Sequence, residues 1–298
     1  MSKGMGAKKR DCRRAARLLY SYLSGRVFSV LLPSVILLPL ILSFLALSCA
    51  KRGPRFLRYA FSTQGVQRYR STLTMTSSSG SETQIILEES HRVQEVSPNG
   101  TARMEVRFDT AEVHFTDPQS LAAAFLAKSL QGKVLHILVS PLGEVQSRDE
   151  AGQNPGMGGI NLNQTFSQVF PTLPQSPPRP GDSWNTERTV PVPSPEMEIT
   201  NHVLTQYTFQ RIESRAGKEC ARIFIRTTAE LLGKSRDAQS QETLQGRMTG
   251  EGVFYFALRE GRLQLLEMKN KTEVSTQNAQ GKTSKGTTEQ VVKVEALP

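Results

Sequence analysis

Ala221-Arg222-Ile223-Phe224-Ile225-Arg226-Thr227-Thr228-Ala229-Glu230-Leu231 decides the fold class. Ala221, Ile223, Ile225, Thr227, Ala229 and Leu231 share one phase of a period of two, while Arg222, Arg226 and Glu230 share the other. That alternation is the mark of an antiparallel sheet with one dry face. Phe224 alone breaks the polar phase. Upstream, Arg215-Ala216-Gly217-Lys218 is turn chemistry; downstream, Val253 to Leu258 closes on the tight turn Arg259-Glu260-Gly261. Consecutive hairpins predict a meander. Within it, Val253, Tyr255 and Ala257 lie on one side and Phe254, Phe256 and Leu258 on the other, so this strand needs cover on its second face.

The same pattern occurs earlier in the chain. Ala102-Arg103-Met104-Glu105-Val106-Arg107, then Thr110-Ala111-Glu112-Val113, matches Ala221 to Arg226, then Thr228 to Leu231, at offsets of 119 and 118. Val134 to Val139 with a turn at Gly143 matches Val253 to Leu258 with a turn at Gly261 at the same offsets. Val93-Gln94-Glu95-Val96 before Gly100 matches Phe209-Gln210-Arg211-Ile212 before Gly217. Blocks recurring in order predict two related units. The expected fold is mainly β, with antiparallel meander sheets forming a curved sheet or half-barrel under one or two covering helices. A first unit spans 65–150 and a second 201–298.

Asp117-Pro118 is an N-cap followed by a first-turn proline, and Leu121, Ala122, Phe125 and Leu126 share a side, so a helix is expected near 118–131. Leu162, Phe166, Val169 and Phe170 predict a second near 161–170. This second helix lies in a Gly- and Pro-rich crossover, 151–200, whose prolines at 171, 174, 177, 178, 180, 191, 193 and 195 suggest an extended strap between the sheet halves.

Residues 1–49 read as an address. Basic residues crowd 1–26 against the single acid Asp11, and the uncharged run Val27 to Ala50 follows. This is the layout of a signal peptide or an N-terminal anchor helix, since ~20 apolar residues span a bilayer and signal cores run ~7 to 15. Either way the basic head stays inside, which leaves the remainder extracytoplasmic. Residues 50–64 form a basic tether in which Lys51, Arg52, Arg55 and Arg58 are expected to touch anionic lipid headgroups.

The chain carries a formal charge of +10, but residues 1–49 supply most of it; the rest has 29 bases and 26 acids. So even a balance gives no basis for nucleic-acid binding. Of the three cysteines, Cys220 sits alone in a strand phase, so no disulfide framework is expected. The histidines, at 91, 114, 136 and 202, show no metal-ligand spacing. Glu88 and Glu89, as strand neighbours, point to opposite faces and so do not pair as acid and base. No Gly-x-Ser-x-Gly occurs, and the glycines at 152–159 are not followed by the Lys-Ser/Thr of a phosphate loop. A non-enzyme without cofactor or metal is expected.

The close of the apolar run, Ala46-Leu47-Ser48-Cys49, resembles a bacterial lipoprotein signal, with Cys49 as the residue to be lipidated; Ala46 and Leu47 depart from the usual Leu and small residue. With the meander, the Gly143 hairpin and Phe170-Pro171-Thr172-Leu173-Pro174 leading to Gly181-Asp182-Ser183-Trp184, the chain is similar to a family of bacterial lipoproteins of unknown function. It also resembles, in architecture, the half-barrel lipoprotein carriers of the envelope. That resemblance implies an acyl-chain cavity between sheet and helices, for which Leu121, Phe125, Phe166, Phe170, Phe254 and Phe256 are the candidate walls. The expectation is a membrane-anchored envelope lipoprotein that binds a hydrophobic small molecule. The competing expectation is a scaffold for an envelope protein, with a filled core.

Overall fold

The structure, a computed structural model, describes residues 55–116, 129–147, 169–192, 194, 196–237, 242–278 and 280–298. The expectations placed on the apolar run, Cys49, Lys51, Arg52, Leu121, Phe125 and Phe166 lie outside them. Among the described residues helix is confined to 129–130 and 169, and no helix is long and apolar enough to cross a membrane.

The strands are β1 (Gln67–Ser77), β2 (Glu82–Val96), β3 (Ala102–Phe115), β4 (Val134–Val139), β5 (Val145–Ser147), β6 (Ser183–Val192), β7 (Met197–Arg215), β8 (Lys218–Ser235), β9 (Thr243–Ala257), β10 (Arg262–Gln277) and β11 (Thr283–Ala296). They form one 11-stranded antiparallel sheet in the order β5-β4-β3-β2-β1-β11-β10-β9-β8-β7-β6. Two meanders meet where β11 pairs with β1, from Tyr69 opposite Ala296 to Ser77 opposite Thr288. The sequence blocks that match at offsets of 119 and 118 fall on β3 and β8 and on β4 and β9.

The phase read from β8 is the phase of burial. Ala221, Ile223, Ile225, Thr227 and Ala229 are buried, while Arg226 and Glu230 are exposed. Phe224, which breaks the pattern, lies under the Arg226 guanidinium at 5.8 Å, so its ring is covered by a side chain of its own strand.

The inward phase of β9 reads Gly246, Met248, Gly250, Gly252, Phe254, Phe256, small at one end and bulky at the other. At Gly252 a methyl group would stand 2.2 Å from the Glu267 carbonyl and 2.7 Å from Met268. β9 and β10 therefore approach closely on the inside of the bend, where only glycine fits. The sheet stays open, with β5 and β6 as its edges. It curls enough for Val145 of β5 and Thr186 of β6 to line the same groove.

One core runs through both meanders, joining Tyr69, Met104, Phe108 and Ile137 to Ile223, Phe254, Phe256 and Leu263. Among the described residues, the cover on β9's convex face comes from the sheet itself. Tyr255, Ala257, Cys220 and Leu265 make a small cluster there, with Arg215 4.3 Å above the Tyr255 ring and Arg222 donating to its hydroxyl at 3.2 Å. Arginine stems and cation–π contact close that face. A second departure concerns the crossover: residues 183–192, read as strap, form edge strand β6. Pro191 is tolerated there because an edge strand has one side free of ladder bonds.

Candidate functional site

The strap proper is shorter, and its anchoring creates the site. Val169, Phe170, Pro171, Thr172, Leu173 and Pro174 are buried. Four of the strap's carbonyls accept hydrogen bonds from side chains: Pro171 from Tyr59 at 2.9 Å, Thr172 from the Trp184 indole at 2.9 Å, and Pro174 and Gln175 from Arg58 at 2.7 and 2.5 Å. The Leu173 amide donates to Leu142 at 2.8 Å. A proline-rich run cannot fill a ladder position, so its carbonyls are taken one by one.

Gly143, with φ at +84°, lets the strap in. A methyl group there would stand 2.7 Å from both the Pro171 carbonyl and the Tyr59 ring. The extended segment 55–61 locks the same end, with Tyr59 donating its amide to Pro141 and Ala60 to Gly261, both at 2.9 Å. Tyr59 packs edge-on against Phe170 at 5.5 Å and Phe256 at 5.2 Å. Burial pushes its phenol well above the ordinary range.

Beyond this plug, among the described residues, the concave face carries a groove. The groove, of about 560 Å³, runs between the sheet edges, floored by Tyr207, Ile225, Leu266, Met248 and Met268 and walled by Pro171 and Val145. Thr205, Thr227, Asn270 and Gln290 form a polar row across the floor, between Tyr207, Ile225 and Met268 on one side and Met248 on the other. Its size falls in the ~300–1,000 Å³ range of small-molecule sites. The space over Gly250 and Gly252 is taken by Asn270 and Met268, whose side chains line the groove.

Of the residues singled out as cavity walls, Phe170, Phe254 and Phe256 are brought together, but as the filled plug at the groove's base, 2 % exposed or less. Of the tether bases, Arg55 pairs with Glu219 at 2.7 Å and Arg58 is committed to carbonyls of Leu57, Pro174 and Gln175. Phe56, 63 % exposed, has the Arg58 guanidinium 5.3 Å over its ring.

Sequence reasoning missed two polar groups. Arg188 lies on the inward phase of β6 with Trp184 and Thr186, and that shared phase was its available signal. The second is a buried pair, Glu89 and His91, with His91 Nε2 3.0 Å from Glu89 Oε2. Glu88, on the opposite face, pairs instead with Arg70 at 2.6 Å. Cys220 is a buried free thiol, its pKa pushed up chiefly by burial and by Glu260. Among the described residues no cluster of His, Cys, Asp and Glu could hold a metal ion.

Fold and site together define an open antiparallel sheet whose concave face carries a strap at one end and a groove beside it. No family model matches the chain, and no curated protein does. Among solved structures it is similar to a chain described as a lipoprotein, from Parabacteroides distasonis, at 12% identity and a TM-score of 0.24 over 82% of this chain and 98% of that one. It is similar to a LolA superfamily protein from Nitrosomonas europaea at 10% and 0.20, over 80% and 86%. A third likeness, to a loop-deleted OmpT, an outer membrane protein of Vibrio cholerae, stands at 7% and 0.23, over 79% and 100%. Likenesses this loose carry no argument, so function rests on the groove.

Proposed function

We propose that the chain is a membrane-tethered binding protein of the bacterial envelope, extracytoplasmic and non-catalytic, whose groove holds the apolar tail of a small amphiphile. The observation that carries this reading is the apolar stretch of Tyr207, Ile225, Leu266 and Met268 on the groove floor, with Met248 beyond a polar row, beside an already filled core. Methionine suits a tail of variable shape, because its unbranched side chain adapts to what it touches. The tether follows from the basic head and the apolar run that ends at Cys49. It requires a mature chain that begins at a lipid-modified Cys49 or keeps the apolar run as an anchor.

The scaffold reading would offer the proline-rich strap to a partner. Its carbonyls at 171, 172, 174 and 175 are already occupied within the chain, which favours the carrier. The test is titration of the full-length protein with a fluorescent fatty acid. Saturable binding at one site per chain is expected, with Thr205→Trp, which fills the groove floor, weakening it by about tenfold or more at an unchanged melting temperature. Absence of saturable binding, or a Thr205→Trp protein that binds as the wild type does, would remove the groove reading.

A further inference from the structure

The strap end of the groove is chemically unlike the rest. Arg188 projects from edge strand β6 onto the concave face, half-buried, and its Nη2 donates to Thr172 Oγ1 at 3.3 Å. Other arginines of this sheet meet carboxylates: Arg70 meets Glu88 and Arg211 meets Glu213. Among the described residues none pairs with Arg188, so most of its donors face the groove unspent.

Hydroxyls surround it. Thr172 and Tyr207 are 8 % and 7 % exposed, and Thr186 stands beside Arg188 on the same phase of β6. Thr186, Arg188 and Tyr207 line the groove together, and the Tyr207 phenol is pushed up chiefly by burial, against the Thr172 backbone, Arg188, Thr186 and the Thr172 side chain. Tyr207 itself is fixed by Trp184, stacked at 5.5 Å and 14°, and by Phe254, edge-on at 6.1 Å.

A corner with one unneutralised guanidinium, three hydroxyls and, among the described residues, no carboxylate is built for an anion. The planar fork of an arginine fits the two oxygens of a carboxylate, and the hydroxyls can donate to its remaining lone pairs. A cationic head would meet a half-buried like charge, and an uncharged one would leave the guanidinium without a counter-ion.

We propose that Arg188, with Thr172, Thr186 and the Tyr207 hydroxyl, binds the carboxylate head of a single-chain amphiphile whose tail lies over Ile225 and Met268. The inference rests on the groove reading and names the ligand class: a long-chain carboxylic acid. The apolar stretch next to this corner is Ile225, Leu266 and Met268, which lie on Tyr207's side of the Thr205, Thr227 and Asn270 row.

The test compares oleate, oleyl alcohol and oleyl phosphate on the full-length protein and on two sets of variants. The wild type should bind oleate about tenfold or more tightly than the alcohol. Arg188→Gln should bring oleate down to the level of the alcohol, and Arg188→Lys should recover part of the preference. Thr186→Val, which keeps the charge, should lower oleate affinity by a smaller factor and serves if Arg188→Gln does not fold. Equal wild-type affinity for acid and alcohol, or a preference that survives in Arg188→Gln, would overturn the head assignment while leaving the groove standing. Tighter binding of the phosphate than of oleate would overturn the carboxylate. Binding of none of the three would overturn head and groove together.

Discussion

Glu89 and His91 lie two residues apart on β2 and so on the same face, sealed from water at 0 % and 1 % exposure. Tyr69 packs over the imidazole at 4.9 Å and Phe170 of the strap at 5.8 Å. The carboxylate's second oxygen has Ser71 Oγ at 3.4 Å, while His91 Nδ1 has no polar partner. Taking a carboxylate out of water costs several kcal/mol, which is recovered only through its partners. His91→Leu should therefore cost about 3–5 kcal/mol, because it strands Glu89. Glu89→Leu, which leaves an imidazole able to stay neutral, should cost less, and the double variant less than the two single losses added together. Denaturant unfolding of the four proteins measures this; strictly additive losses would show that the two side chains do not act as a pair. The period-two pattern puts Glu89 on a face away from Glu88, yet whether that face is wet or dry depends on which elements cover it. A strap some 80 residues further along the chain decided that here. Arg188 escaped notice for the same reason: its phase is legible, its neighbours are not.

At the scale of the element, β9 is the informative strand. Its inward glycines lie on the inside of a bend, with Gly250 under Asn270 and Gly252 under Met268. Gly252→Ala should destabilise by about 1–3 kcal/mol, the range for overpacking a filled space. Gly286 on β11 is the control, since a methyl group there meets nothing within 4 Å. Gly286→Ala should be neutral or stabilising by about 0.5–1 kcal/mol, because a strand glycine loses more freedom on folding than alanine does. Melting curves of both variants decide the matter, and equal effects would contradict the bend. Strand phases, hairpin turns and the meander were all legible, because each is carried by residues close in sequence. The cover over β9 was not. Arginine stems from β7 and β8 supply it, and a charged residue in the polar phase looks the same whether it faces water or lies across a tyrosine ring. Edge strand β6 was hidden by its own prolines, whose meaning changes with the position of a strand in the sheet.

At the scale of the molecule, the pairing of β1 with β11 turns two meanders into one sheet. The curl of that sheet leaves β5 and β6 on either side of an open concave face. Such edges invite pairing with other chains unless they are short or broken by proline. β5 has three residues and β6 contains Pro191, so both edges are blunted and the open face is kept for a ligand. The filled plug of Tyr59, Phe170 and Phe256 sets the depth of the groove, and the sheet supplies its apolar floor. The central claim is that this floor is occupied when the protein is in its own membrane. A native mass spectrum of the full-length chain, extracted from that membrane in mild detergent, tests it. The account predicts one bound amphiphile per chain, shed as an intact acid on collisional activation and missing from Thr205→Trp. A spectrum showing only the bare chain, the same for wild type and variant, would contradict it.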